Sequence, residues 1–261
     1  MDVQGATVLL TGASSGIGAA TARILAKRGA VLGLVARRQD RLEEVLADCS
    51  GDSPDSRIWV ADLSDVEAAE RVVREAIEQF GHLDVLLNNA GAPKRRPVFD
   101  LTPAEVEDTM RINFFSPARM MLTALPAMRE RGRGLIVNVG SMAGRIGVPT
   151  ESAYSASKFA LGGWSEACAL DLAGSGVEIR LISPGAFATE IWDQPGSDDA
   201  FYDGPMAPPE ECAEAIVEAI EGTTFETYAP AGYRDIVVDK TRDFDQFMSM
   251  VLSHSNAGAA S

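Results

Sequence analysis

Seven short apolar runs, separated by stretches of helical periodicity, restrict the fold of this chain more than any other feature of its sequence. The runs are continuously apolar, whereas a strand with one solvated face alternates apolar and polar residues. Helices must therefore cover both sheet faces, and the sequence predicts an α/β fold with a doubly wound, seven-stranded parallel sheet and a ligand crevice at the strands' carboxyl ends. The predicted strands are residues 7–10, 31–35, 58–60, 85–87, 135–139, 179–182 and 227–229.

The length of 261 residues suits one large α/β domain, to which we assign residues 1–231. Within it, residues 190–209 combine prolines and glycines with apolar side chains, and they are predicted to form a mobile lid. Residues 232–261 are predicted to be a C-terminal tail containing a short amphipathic helix. The apolar residues at helical spacing in this tail are Phe244, Phe247, Met248, Val251 and Leu252.

A glycine-rich turn follows the first predicted strand and precedes a helical pattern. Gly12 allows the tight turn, Gly16 lets the backbone approach a pyrophosphate, and Gly18 permits close packing of the helix on the strand. The phosphates then meet the positive N-terminus of the helix. The turn therefore predicts a dinucleotide site, to which Ser14, Ser15 and Ile17 also belong.

A serine, a tyrosine and a lysine are spaced as a proton-transfer site would need them. A helix predicted to start near Glu151 places Tyr154 and Lys158 one turn apart on one face. An ammonium group there favours the phenolate, so the lysine is expected to lower the pKa of Tyr154 and make it a usable general acid and base. Ser141, at the end of a strand, is expected to hold the substrate oxygen.

Together with Asn88–Gly91 and Asn113, these motifs resemble the short-chain dehydrogenase/reductase family in its shorter, single-domain form. The resemblance runs from Gly5 to about Ala231, with the motifs in the family's order. It implies a Rossmann sheet and an NAD(P)-dependent oxidoreductase that interconverts a secondary alcohol and a ketone or aldehyde. It also implies a homodimer or homotetramer, assembled through the helices near residues 104–130 and 152–173.

The family resemblance also implies a role for each member of a catalytic tetrad. Tyr154 would exchange a proton with the substrate oxygen, and Ser141 would position that oxygen. Lys158 would lower the pKa of the tyrosine and bind the nicotinamide ribose. Asn113 would hold a water molecule that links Lys158 to solvent.

The residues after the second strand favour NADP(H) over NAD(H). An NAD enzyme commonly places Asp or Glu at the strand end, where this chain has Ala36. Arg37 and Arg38 follow, and guanidinium donors suit a 2′-phosphate. In the alternative interpretation, these arginines pair with nearby acidic residues, namely Asp40, Glu43 or Glu44.

The resemblance implies three further groups of cofactor contacts. One group recognises adenine, the next passes beside the adenosine ribose, and the last holds the nicotinamide carboxamide. Asn89 is equally compatible with a role in stabilising the sheet. These groups are Asp62 and Leu63; Asn89, Ala90 and Gly91; and Pro184, Gly185 and Thr189.

The substrate is less constrained than the cofactor. The apolar lid favours an apolar alcohol or carbonyl compound, with Ile191, Trp192, Phe201, Tyr202 and Met206 as its anchors. A basic cluster at residues 94–96 is predicted to be a solvated loop, the alternative being a site for a substrate phosphate or carboxylate.

Composition excludes several classes of protein. A net charge of −15 argues against nucleic-acid binding. Two histidines and three cysteines without CxxC spacing argue against a metal site, a Ser-His-Asp hydrolase and a disulfide framework. Neither a membrane span nor a secretion signal is evident, so the protein is expected to be cytoplasmic.

Three alternatives to this function remain from the sequence. The first, within the same class, is a 3-oxoacyl thioester reductase, which the acidic surface disfavours because acidic carrier proteins need a basic docking face. The second is a non-catalytic NADP(H)-binding regulator, for which a proton relay has no use. The third is a methyltransferase with a similar glycine turn, which leaves Tyr154 and Lys158 unexplained.

Overall fold

The computed structural model describes residues 1–258, with side chains described as far as Ser253. Seven strands form one sheet in the order β3-β2-β1-β4-β5-β6-β7, and every neighbouring pair is parallel. All seven predicted strands and the doubly wound α/β class are thereby confirmed. The strands are β1 Thr7–Thr11, β2 Val31–Ala36, β3 Arg57–Val60, β4 Val85–Asn88, β5 Gly134–Val139, β6 Val177–Pro184 and β7 Glu226–Ala229.

Helices follow the strands along the chain and cover both faces of the sheet. A five-residue π-helical turn, Arg111–Phe115, joins α4 to α5. The helices are α1 Gly16–Lys27, α2 Gln39–Cys49, α3 Val66–Phe80, α4 Pro103–Met110, α5 Ser116–Arg131, α6 Ser152–Asp171, α7 Pro209–Glu221, α8 Tyr233–Arg242 and α9 Phe244–Gly258.

Two hydrophobic clusters lie on opposite faces of the sheet because strand side chains alternate in direction. Val8 and Leu10 of β1 pack with residues of α1, α2 and α7, whereas Leu9 between them packs with residues of α3 and α5. Strand order reverses between β1 and β4, and this switch point opens the crevice at the strands' carboxyl ends.

The segment predicted as a lid leaves the domain after β6 and returns at α7. At its base, Phe187 and Ala207 form an isolated parallel bridge, supported by a hydrogen bond of 2.8 Å from the amide of Ala188 to the carbonyl of Ala207. Above this bridge the chain has one short 3-10 helix, Glu190–Asp193, and is otherwise irregular. The lid is thus a loop whose two ends are held together by this bridge.

The C-terminal tail differs from its prediction, because it contains two helices, α8 and α9, rather than one short helix. Asp243, in extended conformation, separates them, and its carboxylate accepts a hydrogen bond of 2.9 Å from the amide of Gln246. Helix α8 packs on the parent domain, where Lys240 donates a hydrogen bond of 2.6 Å to the carbonyl of Arg145. Residues 259–261 of the predicted tail lie outside the described residues.

Within residues 1–258, no helix combines the length and the hydropathy needed to cross a bilayer.

Candidate active site

The predicted site residues gather around one cavity of about 800 Å³ at the carboxyl ends of the strands. Every residue assigned above to catalysis or cofactor binding lines it, except Asn113, which lies behind Gly91. We call the part around residues 12–18, 37–38, 62–63 and 89–91 the cofactor half. The part formed by residues 92–95, Glu151 and the lid is called the substrate half.

The glycine turn of the cofactor half has no room for side chains. Gly12 and Gly16 have left-handed φ values of +68° and +51°, which favour glycine. A Cβ atom at Gly16 would meet Thr189 at 2.9 Å, and one at Gly18 would collide with the carbonyl of Gly12. The backbone is therefore open to close approach, as a dinucleotide phosphate requires.

The N-terminus of α1 offers unpaired amide donors to such a phosphate. Within the described chain, the Ser15 side chain at the N-cap accepts no hydrogen bond from the first turn of α1. The first amides of a helix have no intrahelical acceptor, and the helix dipole there favours an anion. The turn and helix together fit the pyrophosphate of a nicotinamide dinucleotide.

Asn89 holds this turn against the neighbouring strand. Its side-chain amide donates to the carbonyl of Thr11 at 2.9 Å and to that of Gly12 at 3.4 Å. Its backbone amide donates to the Thr11 hydroxyl at 3.0 Å. Asn89 lines the cavity, but its amide hydrogens are committed to β1, which supports the stabilising role that the sequence left open.

Arg38 lies at the ribose end of the cofactor half. Its guanidinium donates to Ser15 at 2.8 Å and to Ser14 at 3.3 Å, and it forms a 2.8 Å ion pair with Glu190 of the lid. The alternative in which Arg38 pairs with Asp40, Glu43 or Glu44 is therefore wrong. Arg37 also lines the cavity beside Ala36.

The remaining cofactor residues lie along the same wall. The Asp62 carboxylate accepts hydrogen bonds from the amide and hydroxyl of Ser64, which fixes the turn after β3. Gly185 follows β6 at the end assigned to the nicotinamide, where a Cβ atom would meet the Tyr233 ring of α8 at about 2.5 Å. Leu63, Ala90, Gly91, Pro184 and Thr189 complete this set.

Tyr154 is buried on α6 and hydrogen-bonded to Ser141. Burial raises the pKa of Tyr154 to about 12, while the hydrogen bond with Ser141 acts to lower it. The sequence predicted a lowered pKa for Tyr154, whereas desolvation of the phenolate raises it. The phenol is therefore protonated at neutral pH, which is the form that can donate a proton.

Lys158 is buried one turn after Tyr154 on α6. Its ammonium group donates to the carbonyl of Val139 at 2.9 Å and lies 5.8 Å from the centroid of the Tyr154 ring. Burial lowers the pKa of Lys158 to about 8. This pKa lies near neutral pH, so a small change in the surroundings of the amine can alter its charge.

Asn113 points inward from the π-helical turn, a feature often found at functional sites. Its amide donates to the carbonyl of Ala92 at 2.9 Å and to the Ser157 hydroxyl at 3.0 Å, and its oxygen accepts from the amide of Ala92 at 2.9 Å. A Cβ atom on Gly91 would lie 3.1 Å from that oxygen and 3.4 Å from the Lys158 nitrogen. Asn113 and Lys158 therefore flank Gly91.

The basic cluster at residues 94–96 is not a solvated loop, contrary to the prediction. Arg95 is only 2% exposed. Its guanidinium donates to the lid carbonyls of Ile191, Trp192 and Asp198 at 3.3, 2.6 and 2.8 Å. The sequence could not reveal these contacts of Arg95. Their acceptors are backbone carbonyls about a hundred positions away, and no charged side chain marks them.

Two further features of the substrate half were missed or only partly predicted. Glu151, three positions before Tyr154, is 8% exposed and lines the cavity, although the sequence analysis used it only to mark a helix start. Of the five predicted lid anchors, only Ile191 and Trp192 line the cavity. The Trp192 ring lies beside that of Tyr202, so part of the lid's aromatic surface packs on itself.

Known proteins resemble this chain in sequence and in fold. A family model described as short chain dehydrogenase matches residues 6–200. A ketoacyl reductase of Nostoc sp. is 34% identical over 86% of this chain and 78% of its own length. The D-threitol dehydrogenase of Mycolicibacterium smegmatis is 33% identical over 82% of this chain and 85% of its own length. The crystal structure of a short chain dehydrogenase from Burkholderia cenocepacia in complex with NADP covers 97% of this chain and 99% of its own, at 27% identity and a TM-score of 0.82.

Proposed function

The chain belongs to the short-chain dehydrogenase/reductase family, and on that premise we propose that it interconverts a secondary alcohol and a ketone or aldehyde with NADP(H). The observation that supports this most directly is the meeting of Tyr154, Ser141 and Lys158 at one cavity with the glycine turn. A proton donor and a dinucleotide cradle in one crevice are what a carbonyl reductase needs.

The proton chemistry is assigned to Tyr154 and Ser141. When bound, the nicotinamide supplies or accepts the hydride. In reduction, the protonated phenol of Tyr154 donates its proton to the substrate oxygen, and the Ser141 hydroxyl orients that oxygen. Lys158 supplies positive charge beside the phenolate that remains, and Asn113 holds the loop at Ala92 against α6.

The cofactor preference rests on the ribose end of the cavity. Ala36 leaves the end of β2 without the carboxylate that would hold the ribose hydroxyls of NAD(H) and repel a phosphate. Arg38 and Arg37 line the cavity at that end, and a guanidinium can form charge-assisted hydrogen bonds to a 2′-phosphate. The Burkholderia cenocepacia relative, whose structure holds NADP, adds support for the same cofactor.

A second candidate is reduction of a 3-oxoacyl thioester, which the ketoacyl reductase from Nostoc favours. A net charge of −15 weighs against an acidic carrier protein as the donor of that substrate, because like charges oppose docking. The relative named for D-threitol points instead to a small polyol, so relatives of similar identity differ in substrate.

The Tyr154→Phe substitution tests this proposal, because it removes the proton donor and leaves the ring. We expect turnover of carbonyl substrates, followed by NADPH absorbance, to fall by roughly a hundredfold to ten-thousandfold. NADPH affinity, measured by fluorescence titration, should stay close to that of the wild type. If the wild type binds NADPH but reduces no ketone or aldehyde in a broad panel, the non-catalytic regulator replaces the enzyme as the better interpretation.

A further inference from the structure

An acidic side chain lies in the substrate half without a polar partner. Glu151 is 8% exposed and lines the cavity, and within the part of the chain that the structure describes its carboxylate has neither a hydrogen-bond nor an ion-pair partner. A buried carboxyl group without a protein partner is costly, and beside a cavity a bound ligand can supply the missing contact.

The backbone immediately before Glu151 is strained and is held by a hydrogen bond from Arg96. Thr150 has a φ of +62°, which is a rare conformation for a β-branched residue, and its buried hydroxyl has no hydrogen-bond partner within residues 1–258. Its carbonyl accepts a 2.7 Å hydrogen bond from the amide of Arg96. Strain of this kind concentrates at ligand sites, where the surrounding structure sustains it.

Glu151 and Tyr154 line the same cavity from neighbouring positions of one helix. The negative charge of Glu151 acts to raise the pKa of Tyr154, after the larger effect of burial. Glu151 precedes Tyr154 by three residues, at the start of the same helix, so both groups lie within one helical turn. A ligand oxygen bound to Tyr154 therefore has the carboxyl group of Glu151 a short distance away along the substrate.

Arg95 decides which kind of ligand group fits beside Glu151. Burial raises the pKa of Glu151, and the nearby Arg95 acts to lower it. A substrate ammonium group would be repelled by this guanidinium, which is itself buried and turned toward the lid carbonyls. A hydroxyl group is neutral, donates to a carboxylate and accepts from a carboxylic acid, and so matches Glu151 in either protonation state.

We propose that Glu151 is a specificity-determining residue that binds a second hydroxyl group of the substrate, so that hydroxyketones and polyols are preferred over simple ketones and alcohols. This inference rests on the proposed function, and it replaces the apolar substrate expected from the lid. The lid side chains Ile191 and Trp192 then cover the carbon skeleton, while Glu151 selects the hydroxyl.

The test compares matched substrates that differ by one hydroxyl group. Acetoin and butanone share a carbon chain, and the comparison extends to longer ketones with and without a neighbouring hydroxyl. We expect kcat/KM of the wild type to favour the hydroxyketone by roughly tenfold to a hundredfold, because one hydrogen bond to a carboxyl group is gained. Glu151→Leu should abolish most of this ratio, and Glu151→Gln should retain part of it.

The ratio separates recognition from a merely structural role. A general distortion of α6 changes the rates for both members of a pair, whereas loss of a hydroxyl contact changes their quotient. Glu107→Leu is the matched control, since this carboxylate is exposed on α4 and does not line the cavity. An unchanged ratio in Glu151→Leu, or no hydroxyl preference in an active wild type, would overturn the inference and leave the proposed function standing. A wild type that binds NADPH but reduces neither member of any pair would overturn both.

Discussion

The two halves of the crevice differ in the groups that form their walls. In the cofactor half, the walls are glycine backbone and the free amides of α1, and neighbouring side chains such as Asn89 hold that backbone in place. In the substrate half, the walls are long side chains from distant segments, with Arg95 reaching lid carbonyls about a hundred positions away. Backbone sites tolerate few sequences, whereas side-chain sites can be rebuilt by exchanging a few residues.

This difference agrees with the range of substrates for which the relatives are named. A nicotinamide dinucleotide presents the same phosphates to every member, so a single turn geometry serves them all. Substrates differ between relatives named for ketoacyl and threitol chemistry, and the side-chain half is where such differences can be accommodated. The two halves should therefore respond differently to substitution.

The largest effect is expected from Arg95→Met in the substrate half. The change leaves the lid carbonyls of Ile191, Trp192 and Asp198 without their donor, and Glu151 without a nearby positive charge. We expect the free energy of unfolding, measured with urea, to fall by about 3–5 kcal/mol, because three carbonyl groups lose their hydrogen-bond donor at once. Chymotrypsin should cut faster at the aromatic residues of the lid.

Arg96→Met is the matched control for that prediction. Arg96 is adjacent and more exposed, and it shares its acceptor Glu105 with Lys94, so its loss should cost less than about 1 kcal/mol. Equal losses in the two variants would mean that the buried guanidinium does not hold the lid. NADPH affinity close to the wild-type value in Arg95→Met would show that the lid contacts of Arg95 are not needed for cofactor binding.

A smaller effect is expected from Gly18→Ala in the cofactor half. The new methyl group would collide with the carbonyl of Gly12 and press on the Asn89 amide, so α1 must move away from β1. We expect a loss of about 1–3 kcal/mol in unfolding free energy together with weaker NADPH binding, measured by fluorescence titration. Gly163→Ala is the control, because that exposed position on α6 has open space and alanine should add about 1 kcal/mol of helix stability. A Gly18→Ala protein with normal NADPH affinity would contradict the role assigned to the turn.

The smallest effect is expected from Arg38→Ala at the ribose end. Loss of its charge-assisted contacts should raise KM for NADP(H) roughly tenfold and change KM for NAD(H) less than about threefold. Arg41→Ala is the control, since Arg41 pairs with Glu44 and does not line the cavity. A lower KM for NAD(H) than for NADP(H) in the wild type would refute the assignment of the cofactor.

Sequence predicted the sheet well because burial on both faces leaves a continuous apolar signal. It was least accurate where polar residues occur inside a strand. In β6, Glu178 precedes the predicted run 179–182, and the buried Arg180 lies within it. One guanidinium nitrogen of Arg180 donates to Glu178 and to the carbonyl of Gly222, whereas its Nε has no hydrogen-bond partner among the described residues. The strand spans Val177–Pro184, so the predicted run 179–182 covers only its middle. Helix α8 was missed because half of its ten residues are charged and none is buried, so its sequence carries little of the apolar signal used to predict the other helices.

The candidate site likewise has one part that could be predicted from the sequence and one part that could not. The glycine turn and the Tyr154 to Lys158 spacing are local patterns, and a sequence displays local patterns directly. The contacts of Arg95 and the burial of Glu151 depend on how residues distant in the sequence pack together. The pKa of Tyr154 was predicted in the wrong direction because spacing reveals a neighbouring charge but not the depth of burial.

The ion pair between Arg38 and Glu190 joins the two halves at one point. Glu190 is the residue with which the 3-10 helix of the lid begins. Any anionic oxygen that takes the guanidinium of Arg38 must compete with this carboxylate, and the displaced glutamate belongs to the covering segment rather than to the nucleotide wall. A phosphate bound at Arg38 would therefore also remove one of the contacts that hold the covering segment.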